Sequence, residues 1–465
     1  MTGTPPKTSA VAMEAAWADG EIAVVGLARS GRAAAQLLAR AGSEVYASDA
    51  SRSEGLAHTA IALRDEGVDV ELGTHDLARI AKCALVVASP GVPPSAPPFT
   101  AARDAGIPIV SEIEIGLRFL PDLKYIAITG TNGKTTTTAL TGHLLKALGK
   151  RAATAGNIGT PLTELALAST PPEWIALEVS SFQLHDTPSI RPLVGMLTNL
   201  SANHLDRYDN VGEYYGDKAL MFQNASVASH WVTNLDDPDV QAMVEPIAGM
   251  HTHFSVVGKA DAYYDRASGN LMVFGCPLIH RHDLPLLGDH NVANALAASL
   301  AVIIADRQHR TDQALHRIAA ALKTFNALEH RIETVGTYHG VAWINDSKST
   351  NVASTLVAMR GMTKPTVLLL GGKHKGEPYT DLAPELKRTG RAVIAYGEAA
   401  PLIEKDLSGV VPLKRLGSSF DEVIATAREL AQSGDVVLLS PACSSYDMFD
   451  NYEQRGNVFK RLAPS

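Results

Sequence analysis

The chain has little cysteine and no long basic run. Its three cysteines, Cys83, Cys276 and Cys443, lie far apart and form no Cys-x-x-Cys pair. Neither a disulfide scaffold nor a thiolate zinc site is therefore expected. The cysteine content is compatible with a location in the reducing cytoplasm. Acidic residues outnumber basic ones by 49 to 41, which gives a net charge of -8. Because a nucleic-acid backbone binds clustered lysines and arginines, no nucleic-acid partner is expected.

The sequence also lacks a segment that could span a membrane. Its longest apolar stretch, residues 295–305, is about half the length needed and is interrupted by Ser299. Residues 1–20 are rich in Thr, Pro and Ala and have no apolar core of signal-peptide length, which predicts a frayed extension. With 465 residues, 46% of them hydrophobic, the chain is typical of a globular protein of roughly two to four domains.

A glycine-rich loop at residues 130–136, Gly-Thr-Asn-Gly-Lys-Thr-Thr, is the most informative feature. It follows an apolar segment, residues 125–129, which predicts a buried strand. A helix is predicted after it, at residues 136–148, and Gly149 ends that helix. In a strand–turn–helix unit of this kind, backbone N–H groups and the helix N-terminus together bind an anion. The loop therefore predicts a nucleotide site, and an ordinary glycine-rich turn is the alternative.

Two side chains of this loop have expected roles. Lys134 is expected to reach the terminal phosphates, and the Thr135 hydroxyl is expected to bind Mg²⁺. The loop is shorter than the general P-loop, because its first glycine, Gly130, lies only three residues before Gly133.

A second glycine turn, residues 26–31, also lies between a predicted strand and a predicted helix that extends to about residue 40. The strand that follows ends in Asp49. This order resembles a dinucleotide-binding fingerprint. However, Ala28 occupies the position where the backbone must approach a pyrophosphate. A nucleotide-shaped ligand and a plain packing turn are both compatible with this segment alone.

Polar residues follow other predicted strands, and in doubly wound sheets ligands bind at such strand ends. Glu178 closes an apolar strand, where an unpaired carboxylate would be costly, so a metal or a lysine partner is expected. His204 follows another apolar segment, residues 194–200, and is either a polar loop residue or a metal ligand.

A helix predicted from residue 289 carries Asn291 and Asn294 on one face. On the residues alone, Asp289 or Asn291 is expected to cap the helix. Contact of the two amides with a nucleobase is the alternative.

The order of apolar strands, polar loops and helices predicts an α/β fold of three domains in series. The domains are expected to be an N-terminal Rossmann-like domain, a central P-loop ATPase-like mononucleotide-binding sheet and a C-terminal Rossmann-like domain. After the extension of residues 1–20, their expected bounds are 21–112, 113–327 and 328–465.

The chain resembles the Mur ligases over nearly everything after residue 20. The short glycine loop marks the superfamily. Residues 180–184, Ser-Ser-Phe-Gln-Leu, and residues 440–445, Ser-Pro-Ala-Cys-Ser-Ser, mark the glutamate-adding branch. Further matching segments are residues 203–208, 288–294, 330–331, 345–351 and 451–456. The resemblance implies a cytoplasmic, monomeric ligase of peptidoglycan precursor synthesis that uses ATP to join glutamate to UDP-N-acetylmuramoyl-L-alanine (UDP-MurNAc-L-Ala) through an acyl phosphate.

Residue by residue, the resemblance implies three ligand sites. The nucleotide site would include Gly130, Thr131, Asn132, Gly133, Lys134, Thr135, Thr136, Asn291, Asn294, Arg331 and Asp346. The UDP-substrate site would include Ser30, Asp49, Ser89, Pro90, Gly91 and Asn157. The glutamate site would include Thr350, Lys375, Ser445 and Tyr452.

The resemblance also implies a magnesium site that could take a second Mg²⁺ or Mn²⁺. Its residues would be Thr135, Glu178, His204 and Lys218. Lys218 matches a lysine that similar ligases carry as a carbamate, which turns a cation into a metal-binding carboxylate. The catalytic residues implied are Lys134, His204, Lys218 and Lys348, and the base that deprotonates the glutamate amine is left open.

Three other functions remain as alternatives. Another Mur ligase or a folylpolyglutamate synthase would share the glycine loop and the magnesium residues. A nicotinamide dehydrogenase could use residues 26–49, although Ala28 counts against it. A catalytically inactive nucleotide sensor would need a broken metal site. D-glutamate and L-glutamate are not distinguished, because both present the same two carboxylates.

Overall fold

The computed structural model describes residues 20–203, 208–326 and 329–463. These residues form three domains, each built on one β-sheet. The predicted α/β architecture of three domains is confirmed. His204 and residues 1–19 of the predicted extension lie outside the described residues.

The first domain has a five-stranded sheet within residues 20–111. Its strands are β1 (Ile22–Val25), β2 (Val45–Asp49), β3 (Asp69–Leu72), β4 (Leu85–Ala88) and β5 (Ile109–Ser111). Its helices are α1 (Arg29–Arg40), α2 (Glu54–Asp65), α3 (Leu77–Ile80) and α4 (Pro97–Asp104). The strands are all parallel and lie in the order β3-β2-β1-β4-β5.

The central domain follows α5 (Glu112–Phe119). Its strands are β6 (Lys124–Thr129), β7 (Ala152–Gly156), β8 (Trp174–Glu178), β9 (Val194–Leu197), β10 (His230–Asn234), β11 (Met250–Ser255), β12 (Ala262–Asp265), β13 (Asn270–Val273) and β14 (Cys276–His280). Its helices are α6 (Lys134–Ala147), α7 (Leu162–Ala166), α8 (Ser181–His185), α9 (Val211–Ala219), α10 (Pro238–Val244), α11 (Asp289–Ala305) and α12 (Asp312–Thr324). Short 3-10 helices lie at Leu220–Phe222, Arg281–Asp283 and Arg307–Arg310. The strand order is β14-β13-β12-β11-β10-β9-β6-β8-β7, and β13 is antiparallel to both of its neighbours.

The third domain has the strands β15 (Glu333–Tyr338), β16 (Val341–Asn345), β17 (Thr366–Gly371), β18 (Gly390–Tyr396), β19 (Leu413–Arg415) and β20 (Val436–Leu439). Its helices are α13 (Val352–Arg360), α14 (Ala383–Thr389), α15 (Ala400–Leu407), α16 (Phe420–Leu430) and α17 (Tyr452–Leu462), with a 3-10 helix at Tyr379–Leu382. The order is β15-β16-β20-β17-β18-β19, and only the β15–β16 pair of this described sheet is antiparallel.

Apolar layers cover both faces of each sheet. Strands that are buried on both sides in this way are apolar at nearly every position. In β1, Ile22 and Val24 belong to one layer, whereas Ala23 and Val25 belong to the other. The central and C-terminal sheets alternate in the same way. Fully burying one large aliphatic side chain contributes about 1.5–3 kcal/mol, so these layers are a main source of stability. The layer that contains Ile22 and Val24 also includes Ala166 of the central domain.

Two buried carboxylates of α5 join the first domain to the central one. Glu112 accepts hydrogen bonds from the Thr163 N–H and hydroxyl, both at 2.6 Å. Glu114 accepts from the Ser189 N–H at 3.0 Å and its hydroxyl at 2.7 Å. Breaking such bonds would leave a buried charge unpaired, which is costly. The two domains are therefore firmly connected.

The apolar run that begins at Thr366 forms β17 (Thr366–Gly371). The helix after the glycine loop begins at Lys134, two residues earlier than predicted, and ends at Ala147. Gly149 follows it with a left-handed φ of 80°, as expected for a glycine that ends a helix. None of the described helices is long and apolar enough to cross a membrane.

Candidate active site

The glycine loop after β6 has a backbone that requires glycine at two positions. Gly130 has a φ of 140° and Gly133 a φ of 82°, which side chains with a Cβ rarely adopt. Space is also absent, because a Cβ on Gly130 would lie 2.0 Å from Thr198 Oγ1 and one on Gly133 would lie 2.5 Å from Asn294 Oδ1. The loop is therefore packed tightly against its neighbours on both sides.

Residues after β9 hold this loop in place. The Thr131 N–H donates to the Asn199 carbonyl and the Asn132 N–H to Asn199 Oδ1, both at 2.8 Å. The Thr198 hydroxyl donates to the Asn132 carbonyl at 2.7 Å. Neither Thr198 nor Asn199 has a role predicted from the sequence. Their position at the carboxyl end of a strand beside β6 is the signal that could have found them.

Lys134 folds back over the loop. Its amino group donates to the carbonyls of Gly130 at 2.9 Å and Thr131 at 2.8 Å. Burial lowers the pKa of Lys134 from its ordinary value, and the nearby Glu178 opposes that shift. The cation thus lies within the turn that is predicted to hold phosphates.

A cavity of about 470 Å³ lies between the central and C-terminal domains. Seven residues of the predicted nucleotide site line it: Asn132, Gly133, Thr136, Asn291, Asn294, Arg331 and Asp346. The other four, Gly130, Thr131, Lys134 and Thr135, lie in the same loop and helix start. Apolar residues without a predicted role form another part of the wall, among them Phe254, Leu286, Leu356 and Val357. An apolar wall beside polar groups is typical of a site for a flat organic ring.

Neither Asp289 nor Asn291 caps α11, so the capping prediction is wrong. The N-cap is Gly288, without a side-chain hydrogen bond. Asn291 donates its side-chain N–H to the Leu287 carbonyl at 2.8 Å. Asn294 accepts from the Thr137 hydroxyl and donates to Asn291 Oδ1, both at 3.1 Å. Tertiary contacts with α6 therefore orient the amides along the cavity wall.

Arg331 connects the C-terminal domain to the glycine loop. Its guanidinium donates to Thr135 Oγ1 at 2.9 Å. A second bond between these domains joins the Ser354 hydroxyl to Asn132 Oδ1 at 2.9 Å. Because residues from both domains meet here, the cavity is complete only when the two are together.

Asp346 lies on the C-terminal wall of the same cavity. Its carboxylate accepts hydrogen bonds from the Ser440 hydroxyl at 2.8 Å and the Ile332 N–H at 3.2 Å. Burial raises the pKa of Asp346 to about 6. The carboxylate is therefore fixed in position and sensitive to nearby cations.

Glu178 and Lys218 lie together under the glycine loop, each 1% exposed. Glu178 Oε1 accepts from the Asn157 side chain at 2.8 Å. Its Oε2 is buried and has no hydrogen-bond partner among the described residues. The Lys218 amino group donates to the Gly130 carbonyl at 2.8 Å. Burial, and then the charge of Lys134, lowers the pKa of Lys218 well below its usual value.

This arrangement fits a hard divalent cation. Glu178 offers an unpartnered carboxylate oxygen and Thr135 a hydroxyl, and oxygen donors are what Mg²⁺ prefers. Within the described ranges, no three His, Cys, Asp or Glu side chains cluster as a metal site would require. His204, the fourth residue predicted for the site, is outside those ranges.

The predicted glutamate residues lie on loops at the strand ends of the C-terminal sheet. The Lys375 amino group donates to Thr350 Oγ1 at 3.2 Å. The Lys348 amino group lies 4.9 Å from the ring centre of Tyr452, a distance that allows a cation–π contact. Burial, and then the charge of Arg331, lowers the pKa of Lys348 to about 8. Ser445 is buried on the loop after β20.

The predicted UDP-substrate residues fall in two groups. Ser89 and Pro90 line a cavity of about 460 Å³ between the first and central domains, together with Phe182, Gln183 and Tyr208. Gly91 is next to Pro90 in the same loop. The structure thus places part of the predicted set at a domain boundary.

The second group surrounds the turn of residues 26–31. Asp49 accepts from the Leu27 N–H at 2.8 Å, and Ser30 is in the first turn of α1. A Cβ on Gly31 would lie 1.8 Å from the Gly26 carbonyl oxygen, so this glycine serves close packing. Asn157 differs from the rest of the set, because its side chain contacts Glu178.

Arg29 is a residue of this region that has no role predicted from the sequence. It forms two hydrogen bonds with the Glu164 carboxylate, at 2.9 and 3.0 Å, and one with the Gly159 carbonyl at 3.1 Å. These bonds connect the turn of the first domain to the loop that carries Asn157. Because both side chains are partly exposed, the ion pair itself contributes little stability.

The glycine loop lies between a buried strand and a helix, and a second α/β domain completes its cavity. This arrangement is typical of multidomain proteins of the P-loop type. Family models match each of the three domains. The model described as "Mur ligase MurD-like, N-terminal domain" matches residues 20–111, "Mur ligase middle domain" matches residues 128–302, and "Mur ligase, glutamate ligase domain" matches residues 330–443. The chain belongs to the Mur ligase family, and the resemblance in its motifs is thereby confirmed.

Curated relatives are similar over nearly the whole chain. The protein of Chromobacterium violaceum is 42% identical to this chain, and the aligned region covers 95% of this chain and 97% of that protein. The protein of Salinibacter ruber is 39% identical, and the aligned region covers 94% of this chain and 96% of that protein. Both are named UDP-N-acetylmuramoylalanine--D-glutamate ligase.

Solved structures are similar in fold. The UDP-N-acetylmuramate-alanine ligase MurC of Thermotoga maritima has a TM-score of 0.60 at 19% identity and covers 96% of this chain and 98% of its own. The MurF ligase of the same organism, solved in complex with ADP, has a TM-score of 0.61 at 16% identity and covers 90% and 95%. At these identities, the likeness shows the fold alone.

Proposed function

We propose that the chain is an ATP-dependent ligase that joins D-glutamate to UDP-MurNAc-L-Ala in peptidoglycan precursor synthesis. The observation that carries the proposal is the Arg331–Thr135 hydrogen bond of 2.9 Å, which joins the glycine loop to the C-terminal domain. A bond between these two domains supports a reaction site that the predicted nucleotide and glutamate residues share. Relatives that are 37–42% identical bear the name of this activity.

The reaction must activate a carboxylate, because a carboxylate does not acylate an amine directly. The alanyl carboxylate attacks the γ-phosphorus of ATP, which gives an acyl phosphate and ADP. The neutral amine of glutamate then attacks the acyl carbon and loses a proton. The tetrahedral intermediate collapses to the amide and releases inorganic phosphate. Holding the reactants together contributes strongly, since effective molarities can reach about 10⁵–10⁸ M.

Anions must meet in the first step, so cations are needed where charge develops. We assign this role to Lys134 in the glycine loop, Arg331 beside Thr135 and Lys348 at the edge of the C-terminal domain. Besides burial, the charge of Arg331 contributes to lowering the pKa of both Lys134 and Lys348, so the three cations lie close together. This local positive charge explains how a chain of net charge -8 could bind three anionic substrates.

We propose that Thr135, Glu178, His204 and a carbamylated Lys218 hold Mg²⁺. When bound, the ion would neutralise phosphate charge. The unpartnered Glu178 Oε2 supports this assignment. The depressed pKa of Lys218 also supports it, because only a neutral amine adds CO₂.

We assign the remaining ligands by cavity. ATP would lie in the 470 Å³ cavity, with its base near the apolar wall and Asn291, Asn294 and Asp346 around it. The UDP-substrate would bind along the first domain, through Ser30, Asp49, Ser89, Pro90, Gly91 and Asn157. Glutamate would bind Thr350, Lys375, Ser445 and Tyr452. We further propose a cytoplasmic monomer, with domain boundaries near residues 112 and 327.

The test measures phosphate release from ATP with UDP-MurNAc-L-Ala and either glutamate enantiomer. We expect release with D-glutamate, dependent on all three substrates and on Mg²⁺. Release with L-glutamate alone would change the substrate assignment, and no release with either enantiomer would contradict the ligase. A panel of other amino acids separates this activity from that of other ligases of the family.

A further inference from the structure

Arg455 is a buried cation that connects three loops of the C-terminal domain. It lies on α17 and is 0% exposed. Its guanidinium donates to the Ser347 hydroxyl at 3.0 Å and the Ser347 carbonyl at 2.8 Å. It also donates to the Cys443 carbonyl at 3.2 Å and the Gly371 carbonyl at 3.5 Å. Ser347 and Cys443 follow β16 and β20, and Gly371 ends β17, so one side chain joins the ends of three neighbouring strands.

Each of these loops carries a residue of the predicted glutamate site. Ser347 lies three residues before Thr350, the loop that follows Gly371 leads to Lys375, and Cys443 lies two residues before Ser445. The fourth element is α17 itself, which begins at Tyr452. Residues three apart lie on the same face of a helix, so Tyr452 and Arg455 point the same way.

Ser347 extends the connection to the start of α17. Its hydroxyl accepts from Arg455 Nε and donates to the Tyr452 carbonyl at 2.8 Å. The ring of Tyr452 in turn lies beside the Lys348 amino group. The Arg455 guanidinium is therefore hydrogen-bonded directly to the ends of three strands or their loops, and through the Ser347 hydroxyl to the start of α17.

The loops held in this way adopt backbone conformations that need support. Gly372 has a φ of 128°, and a Cβ there would lie 2.2 Å from the Ser444 carbonyl. Ala442 has a φ of 56° although it is not a glycine. Such conformations persist only where the surroundings determine them fully. Arg455 bonds the residues next to both positions.

Stability alone is a poor explanation for a buried arginine. Its hydrogen-bond acceptors here are neutral oxygens, and burial lowers the pKa of Arg455. An apolar side chain of similar volume often stabilises a core better than a buried charge. What arginine supplies is a planar, rigid set of donors that fixes several acceptors at once.

We propose that Arg455 is the positioning residue of the glutamate site. It sets the spacing between Lys348, Lys375, Ser445 and Tyr452 without touching the substrate. This inference rests on the proposed function. It extends that function by naming what gives the amino-acid site its shape.

The test compares Arg455→Lys with the wild-type enzyme in the phosphate-release assay. Lysine keeps the charge but cannot reach three loops at once. We expect the KM for D-glutamate to rise about tenfold, as the loss of one charged hydrogen bond would give. The KM values for ATP and UDP-MurNAc-L-Ala should stay within about twofold, because their proposed sites lie elsewhere.

Arg391→Lys is the matched control. Arg391 is in the same domain, near the start of β18, and pairs with Asp435. This variant should leave all three KM values unchanged. An unchanged glutamate KM in Arg455→Lys, or an equal rise of all three, would overturn the positioning role. A wild-type enzyme without glutamate-dependent phosphate release would instead contradict the proposed function.

Ser347→Ala tests the same idea with a smaller change. It removes the hydroxyl between Arg455 and Tyr452 while the backbone acceptor remains. We expect a rise of about three- to fivefold in the glutamate KM alone, as a neutral hydrogen bond is weaker than a charged one. If Arg455→Lys fails to fold, Ser347→Ala becomes the test of the positioning role. An unaltered glutamate KM in Ser347→Ala would then contradict the proposal.

Discussion

Lys134 and Lys218 donate to the same acceptor, the carbonyl oxygen of Gly130, at 2.9 and 2.8 Å. Two buried like charges this close oppose each other's ionisation. Lys218 responds more strongly, because burial and then Lys134 lower its pKa well below the usual value. Carbamate formation requires the neutral amine, whose N–H proton leaves as the carbamate forms, so this lowering of the pKa favours the reaction with CO₂.

We therefore expect Lys218 to carry a carbamate in the active enzyme. ¹³C NMR of protein equilibrated with ¹³C-bicarbonate should show one carbamate carbon, absent in Lys218→Met. Lys146→Met is the control, because Lys146 is exposed on α6 and should not react. A signal that remains in Lys218→Met would place the label elsewhere and contradict the assignment.

Lys134 and the UDP-substrate residues are expected to serve different steps. Lys134→Ala should reduce phosphate release by about 10²-fold or more, as the loss of a charge-stabilising donor does. Binding of UDP-MurNAc-L-Ala, measured by calorimetry, should change little, because its proposed residues lie mainly in the first domain. Equal losses of turnover and binding would show that the domains do not divide the ligands as proposed. Lys150→Ala, three residues beyond the end of α6, should leave both quantities unchanged.

The glycine loop offers a test of shape rather than charge. Gly133 and Gly149 have φ values of 82° and 80°, so alanine should cost each backbone about 1–2 kcal/mol. Only at Gly133 would the new methyl group meet a neighbour, Asn294 Oδ1 at 2.5 Å, because nothing lies within 4 Å at Gly149. Gly133→Ala should therefore weaken ATP binding by about tenfold or more, whereas Gly149→Ala should lower only the melting temperature. Equal ATP affinities in the two variants would contradict the proposed position of the phosphates.

The sequence predicts well those elements whose local chemistry decides the structure. The continuous apolar run of residues 366–371 forms β17, since a strand buried on both faces has few alternatives. The glycine loop is likewise set by its own residues. The half-exposed strands β12–β14 have mixed side chains, and no strand is predicted there.

Contacts between distant parts of the chain could not be predicted in the same way. The asparagines of α11 have the composition of helix caps, yet Thr137 on α6 determines where Asn294 points. Arg455 is part of a recognisable motif, but nothing local shows that its partners are Ser347 and Cys443. Such roles depend on how strand ends meet in space, which spacing along the chain does not reveal.

Lys348 gives the site a predicted pH limit. Its folded-state pKa of about 8 lies below the ordinary lysine value of 10.5, so its ammonium is present below about pH 8 and is lost as the pH rises through that value. If this cation offsets phosphate and carboxylate charge, kcat/KM for D-glutamate should fall above about pH 8.

Lys348→Arg should remove that alkaline limb, because a guanidinium stays charged throughout the range. The measurement is the pH profile of phosphate release for both proteins between about pH 6 and pH 10, a span that brackets the folded-state pKa of Lys348. Lys364→Arg serves as the control, since Lys364 precedes β17 at the end of the strand remote from the site. An alkaline limb that persists unchanged in Lys348→Arg would assign the titration to another group. It would also remove Lys348 from the cations that meet the acyl phosphate.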